Sequence, residues 1–476
     1  MNQEITTTEE PVIGVVSAEI LETKSLSGST PSLESRAIRG TIWTLAVYAT
    51  GQSVRLLSNI LLSRLLVPQY FGLMALLNTM LMGLSLFSDF GLAPSVIRSK
   101  NGDDSEFLDT VWSVQVLRGI GLWMVCLAIS WPAAQFYGQP RLRSLIPAVA
   151  FSLLINGLSS TSYITLARHL AIGKLARVEL SLQAIQVVTT LLLAWAYPSV
   201  WALVIGRLTY DVARLAVGVF LIPGYRNRFG WNPEIARELI SFGKWVFAST
   251  AVTFLASQAD RLVLGKLVSL ATLGLYSVTF AVADMPRQVI LAFSSKIAFP
   301  FVAKFSHLPR AEFRAMVLHY RRFVLLGGAL ILVLVVTLSD IFLRHIYDTR
   351  YRDAAWMAPV LALGLWHTIL YSTTGPCLVT LGKLRYNVTG YVLTALVILL
   401  LVPVSFHRWG MQGAVWTIAF SDVWVYVTSL YGLTREKLSP LKQDFQMTIL
   451  FVACLAGSYA LRVALGFPWP SAISLH

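Results

Sequence analysis

WTLAVYATGQSVRLLSNILLSRLLVPQYFGL (residues 43–73) and WVFASTAVTFLASQADRLVLGKLVSLATLGL (residues 245–275) echo one another. A shift of 202 residues matches Trp43 with Trp245, Ala46 with Ala248, Ala49 with Ala251, Leu62 with Leu264, Leu65 with Leu267, Gly72 with Gly274 and Leu73 with Leu275. Arg64 falls on Lys266. Each copy runs along an apolar helix, through a short basic loop, and into a Phe-Gly-Leu or Leu-Gly-Leu opening of the next helix. Similarity at one fixed offset is the mark of a duplicated architecture.

Composition says which solvent that architecture needs. With 56% hydrophobic and 13% charged residues and a mean hydropathy of +0.66, the chain cannot fold around one aqueous core, so lipid must take up the rest. Apolar stretches of roughly 20 residues, the length a helix needs to cross the hydrocarbon, recur near 41–62, 71–97, 111–136, 145–166, 175–197, 200–222, 240–262, 271–301, 323–346, 354–381, 388–406, 411–433 and 447–467. The expected fold is therefore an all-α polytopic membrane protein with about thirteen transmembrane helices, within a range of twelve to fourteen. The 271–301 stretch is long and carries Pro286, which should kink it. Six spans separate the two copies of the repeat, which gives two pseudo-symmetric six-helix bundles of one topology around a central cleft.

The expected organisation is a disordered, Ser-, Thr- and Glu-rich tail over 1–36, bundles over 37–222 and 240–433, a linker over 223–239, and a loop with an extra helix over 434–476. Neither a basic n-region nor a continuous apolar core near Met1 marks a cleavable signal peptide. With the N-terminus inside, cytoplasmic segments hold 22 of the 38 Lys and Arg residues and outside loops only eight, so the expected location is the cytoplasmic (inner) membrane with a cytoplasmic N-terminus. Basic loops beside anionic membrane lipid account for the +14 charge without nucleic acid. Cys126, Cys377 and Cys454 are distant and sit in apolar helices, as packing residues do. No HExxH, CxxC, GxxxxGK[ST] or GxSxG motif occurs, so the chain reads as a transporter with no cofactor and no metal rather than an enzyme.

Ionisable side chains inside spans are costly and are the natural functional candidates. Tyr48, Gln52, Arg55 and Asn59 make one polar stripe on the first span. Gln115 and Arg118 lie in the third, Arg207, Asp211 and Arg214 in the sixth, Asp260 and Arg261 in the seventh, and Asp284 and Arg287 in the eighth. A cationic cleft of Arg55, Arg118, Arg214, Arg261 and Arg287 with Gln52 and Asn59 would suit an anionic phosphate, because a guanidinium holds two oxygens and stays charged when desolvated. Asp89, Asp260 and Asp284 are candidates for ion coupling. The competing reading is that these carboxylates form structural ion pairs with neighbouring arginines, as the spacing of Asp211 and of Asp284 allows.

Arg39-Gly-Thr-Ile-Trp, Leu65-Leu-Val-Pro-Gln-Tyr-Phe-Gly-Leu and Phe87-Ser-Asp-Phe-Gly-Leu resemble the polysaccharide transporter family. These are repeat-unit flippases of the multidrug/oligosaccharidyl-lipid/polysaccharide exporter superfamily. Ser257-Gln-Ala-Asp-Arg-Leu-Val-Leu-Gly, Leu273-Gly-Leu-Tyr, Pro286 and Ala298-Phe-Pro resemble the second half of the same proteins. The resemblance implies a polyprenyl pyrophosphate carrying an oligosaccharide, flipped outward by alternating access for lipopolysaccharide or exopolysaccharide biosynthesis beside the polysaccharide assembly machinery. It carries over no fixed set of binding arginines. Two other classes compete. A cation-coupled drug exporter of the same superfamily would use the same paired halves. A membrane glycosyltransferase or polysaccharide polymerase would need a large outside catalytic loop, and the longest outside loop here, around Arg344 to Asp353, is too short for one.

Overall fold

The computed structural model describes residues 50–88, 91–99, 101–169, 172–222 and 225–467. Among them every regular element is a helix. With no water to bond exposed peptide groups, a chain this apolar must satisfy its backbone inside each segment. In chain order the helices are α1 (50–65), α2 (Pro68–Phe87), α3 (Leu92–Arg98), α4 (Ser105–Phe136), α5 (Leu142–Gly157), α6 (Ser162–Arg168), α7 (Ile172–Ala196), α8 (Val200–Ala216), α9 (Pro233–Leu267) and α10 (Leu270–Ala283). They continue with α11 (Met285–Phe293), α12 (Phe299–Lys304), α13 (Arg310–Ile346), α14 (Met357–Ser372), α15 (Gly375–Thr380), α16 (Arg385–Phe420), α17 (Val423–Arg435) and α18 (Leu441–Ala464).

Each expected span falls on helix in its described part, but several are broken where the sequence provides a reason. The second is interrupted before Gly91, whose φ of 65° starts α3. The fourth bends by 60° between α5 and α6. The eighth divides at Asp284, with Pro286 in the first turn of α11, and a π-turn at Ser294–Ala298 precedes α12. Six described segments are long and apolar enough to cross a membrane, and α5 with α6 makes a seventh. One of the six, Arg385–Arg435, turns back on itself at Trp409 and Gly410. Thr417 Oγ1 donates to Ser405 Oγ at 3.0 Å although twelve residues separate them, which a straight helix forbids. The chain is a multi-pass membrane protein.

The two largest cores among the described residues meet on α2. Leu73, Leu77 and Leu81 join a core with α4, α5 and α8, whereas Leu76 belongs to the larger core of α9, α10, α13, α14, α16 and α18. The face toward that larger core reads Gly72, Leu76, Thr79 and Gly83, which is helical spacing. Thr79 Oγ1 donates to Gln258 at 3.3 Å, and a Cβ on Gly83 would stand 2.7 Å from the Phe254 ring. At the start of α2, a Cβ on Gly72 would run into the Leu270 carbonyl, and one on Gly274 into the Pro68 carbonyl. Positions 68 and 270 are themselves related by the 202-residue offset, so the contact is reciprocal. It is the self-complementary geometry of a two-fold interface.

A second reciprocal tie joins α1 to the loop after α13. Arg64 Nη2 donates to the Ile346 carbonyl at 3.0 Å and Arg350 Nη2 to the Ser63 carbonyl at 3.0 Å, so Arg64 caps the C-terminal end of α13 and Arg350 that of α1. A hydrogen bond from Arg350 holds the Asp348 carboxyl below the usual carboxylate range. That lowered value means the support is present at neutral pH and is lost only as pH falls through the acid range.

Gly72→Ala and Gly274→Ala should each lower the unfolding temperature of the detergent-solubilised protein, by the equivalent of about 1–3 kcal/mol or more. Gly327→Ala is the control, since its Cβ would meet nothing within 4 Å. It should be neutral or stabilising, by up to about 1 kcal/mol. Equal behaviour of the three variants would contradict the close glycine contact.

Candidate functional site

A polar cavity of about 560 Å3 opens inside the first half, between α1, α2, α7 and α8. From α1 it receives Arg55 and Asn59 of the polar stripe. From α8 it receives Arg207, Tyr210 and Arg214, one face of a helix whose opposite side is apolar. A third stripe comes from α7: Glu179, Gln183, Gln186 and Thr190 at i, i+4, i+7 and i+11. The α7 stripe was not singled out from sequence, yet it has the same spacing as the one on α1, and that spacing was the available signal. Gln183 Nε2 donates to the Gly51 carbonyl at 2.8 Å, and Tyr210 Oη donates to Glu179 Oε1. Gly206 lets α8 lie directly against Thr190.

The charges in this cavity are not equally satisfied. Arg207 Nε reaches Asp211 Oδ2 at 3.1 Å, while Asn156 Nδ2 donates to Asp211 Oδ1 at 3.0 Å. Asp211 is thus a structural partner, as the ion-pair reading allowed. Arg214 is different. Its guanidinium lies 5.0 Å from the centre of the Tyr163 ring and its buried Nε has no hydrogen-bond acceptor. It lines this cavity and also a second one of about 290 Å3 formed with Arg118, Gln115, Asn156 and Ser160. Asn59 Oδ1 in the larger cavity is likewise buried without a donor. Buried polar atoms left unbonded cost free energy unless a ligand or water meets them.

Arg118 is held by Ser88 Oγ at 2.9 Å and the Ser85 carbonyl at 2.6 Å, at the C-terminal end of α2. Gln115 Nε2 lies within 3.1 Å of the carbonyls of Asn156, Gly157 and Ser159, where α5 gives way to α6. Gln52 Oε1 accepts from Arg55 at 3.4 Å. Arg261 and Arg287 sit elsewhere, in the second half, at 4.7 and 5.7 Å from the single ring of Phe280. Arg261 is 3.5 Å from Asp260, which accepts from Tyr276 at 2.5 Å. Arg287 is 2.5 Å from Asp284, which also accepts from Gln288 at 2.8 Å. The arginines expected in one cleft are therefore placed in three settings, and Asp260 and Asp284 are paired with their neighbours. Asp89 lies outside the described residues.

Two further ion pairs join helices that no sequence spacing relates. Arg462 on α18 meets Asp340 on α13 with two bonds of 2.7 Å, both side chains 3% exposed. Arg321 meets Asp444 at 2.6 Å and donates to Thr373 and the Leu370 carbonyl. Arg321 precedes the apolar stretch at 323–346, but α13 begins at Arg310 and carries it into the packed interior.

An all-α membrane chain of two related halves, with fixed cations lining interior cavities, has the build of a transporter. Residues 61–355 match the model of the Polysaccharide biosynthesis protein family, and the chain belongs to that family. It is 22% identical over 344 residues to the teichuronic acid biosynthesis protein TuaB of Bacillus subtilis (strain 168), spanning 71% of this chain and 68% of TuaB. It is 20% identical over 293 residues to the succinoglycan biosynthesis transport protein ExoT of Rhizobium meliloti (strain 1021), spanning 61% of this chain and 58% of ExoT. In fold it is similar to the lipid II flippase MurJ in an inward closed conformation, with a TM-score of 0.68 at 13% identity over 88% of this chain and 93% of that one.

Pairing separates the structural cations from the available ones. Arg462→Gln strands a buried carboxylate and should cost about 3–5 kcal/mol, lowering membrane abundance severalfold. Arg214→Gln strands none and should leave abundance near that of the parent. Quantitative immunoblotting of the two variants decides it, and equal losses would place Arg214 among the structural residues.

Proposed function

We propose that this chain flips a lipid-linked oligosaccharide, a sugar repeat unit on polyprenyl pyrophosphate, across the cytoplasmic membrane for surface-polysaccharide assembly. The observation that carries the reading is Arg214, a half-buried cation with an unbonded Nε at the junction of two polar cavities. A pyrophosphate supplies the oxygens that such a group lacks. The amides of Gln183 and Gln186 and the Asn59 carbonyl oxygen can bond sugar hydroxyls in the same space, while the prenyl chain remains in lipid. ExoT is named a transport protein and MurJ a lipid II flippase, and both names agree with this cargo.

The working units in this proposal are a tail over 1–36, bundles over 37–222 and 240–433, a linker over 223–239, and the C-terminal segment 434–476. The bundles turn about their shared contact to expose the cavity first to one side and then to the other. Basic-residue asymmetry supports a cytoplasmic N-terminus and linker. Arg55, Arg118 and Arg214 with Gln52 and Asn59 form the first-half side of the binding surface. Arg261 and Arg287 form the second-half side, and Asp260, Asp284 and Asp89 are the candidates for ion coupling. The polysaccharide assembly machinery would receive the product.

Reconstituted protein should translocate a fluorescent polyprenyl-pyrophosphate sugar in liposomes without ATP. Arg214→Lys should slow it, and Arg214→Gln should slow it at least tenfold, since the first keeps the charge and loses only the forked geometry. Normal flipping by the glutamine variant, or export of a cationic dye in place of the lipid, would favour the drug-exporter reading. Cysteine labelling provides an independent check of orientation: position 228 should react only from the cytoplasmic side and position 350 only from the other.

A further inference from the structure

The end of the α16–α17 hairpin away from Gly410 carries a groove that shares no lining residue with the two Arg214 cavities. It is an open space of about 700 Å3 bounded by Arg385, Tyr386, Tyr431 and Arg435, with Glu436 at its edge. Two glycines build it. Gly390 lets α16 and α17 touch through Thr428 and Val425, and Tyr386 packs against Gly432, where a Cβ would come within 2.5 Å of its ring. Tyr386 meets Tyr431 edge-on at 6.0 Å. Arg385 lies over the first ring at 5.0 Å and Arg435 over the second at 5.4 Å.

The hydrogen bonding leaves donors facing the space. Arg385 donates to the Tyr386 hydroxyl at 3.1 Å and Arg435 to the Tyr431 hydroxyl at 3.1 Å, so each phenol accepts and keeps its own proton to donate. Glu436 is neutralised by Lys383 at 3.4 Å, and among the described residues neither arginine has a carboxylate partner. Two positive charges therefore remain. Just inward of the groove, Val388, Val392, Trp424 and Val427 are exposed, which in a membrane protein means facing lipid. Tyrosine and arginine next to an apolar belt mark the headgroup level of a bilayer.

We propose that this groove binds the phosphate headgroup of an anionic bilayer phospholipid, with the two arginines and two phenols on the phosphate and the acyl chains along the apolar faces of α16 and α17. Charge favours an anion, the aromatic walls favour the interface, and the adjoining apolar surface favours a molecule with a tail over a free anion. The site stands apart from the Arg214 cavity and does not depend on what the protein transports.

The test is native mass spectrometry of the full chain released from detergent after incubation with phosphatidylglycerol or phosphatidylcholine of matched chains. Phosphatidylglycerol should be retained preferentially, and the R385Q/R435Q double variant should lose about 30-fold of that affinity, taking about fivefold per arginine. R385K/R435K should keep part of it, and Arg352→Gln, in the loop after α13, all of it. Should the glutamine pair unfold, the lysine pair and a Tyr386→Phe/Tyr431→Phe pair, which removes the phenol donors alone, report in its place. Unchanged retention in these variants, equal retention of the two lipids, or complete displacement by inorganic pyrophosphate would overturn the proposal. None of those outcomes bears on the flippase reading.

Discussion

The backbone contact between Gly72 and Gly274 is the constraint on which the rest of the arrangement depends. Two helices can approach until a glycine of each lies on the other's carbonyl only if both positions lack a Cβ. That approach brings α2 against α10 and sets its Gly72–Leu76–Thr79–Gly83 face into the core of the second half. The opposite face then has to serve the first half, through Leu73, Leu77 and Leu81. One helix thereby closes both cores. In lipid, where tails are as apolar as leucine, such close packing is what can hold two bundles together.

Once the bundles are placed, charge distribution follows from the cost of burying ions. Asp211, Asp340 and Asp444 are each satisfied by an arginine within 3.1 Å. A lone carboxylate at such depth would cost several kcal/mol, so these pairs keep the packed helices free of uncompensated charge. Arg214 escapes this rule because it stands at the wall of a cavity and not between packed helices. What distinguishes it from Arg462 is neither residue type nor burial alone, but the space beside it.

Much of this was legible in the sequence, for identifiable reasons. Span positions follow from hydrophobic length, a property each segment carries by itself. The repeat followed from Trp, Gly and Leu positions that survive a fixed shift, and Gly72 and Gly274 proved to be the pair that touches. Helical spacing gathers Arg55 with Asn59 on one face of α1 and Arg207 with Arg214 on one face of α8, and all four line the larger cavity. What escaped was anything decided between helices. Arg462 with Asp340 is a pair separated by 122 residues, and no local pattern announces it. Local spacing does show Arg261 beside Asp260 and Arg287 beside Asp284, but not that both guanidiniums meet the one ring of Phe280. The break at Gly91 and the 60° bend between α5 and α6 divide stretches that read as single spans. They depend on backbone angles that hydropathy does not report.

The self-complementary contact also bears on how such a chain could have been assembled. An interface made by equivalent positions is one that a single six-helix unit can make with a second copy of itself, as separate subunits do around a two-fold axis. In that form any substitution at the glycine would strike the interface twice. With both copies in one chain the two positions can vary independently, yet each glycine still meets the other's backbone, so fusion relaxes neither. The halves are free to drift apart in the cavities, where one has gathered Arg55, Arg207 and Arg214, while the axis itself stays symmetric.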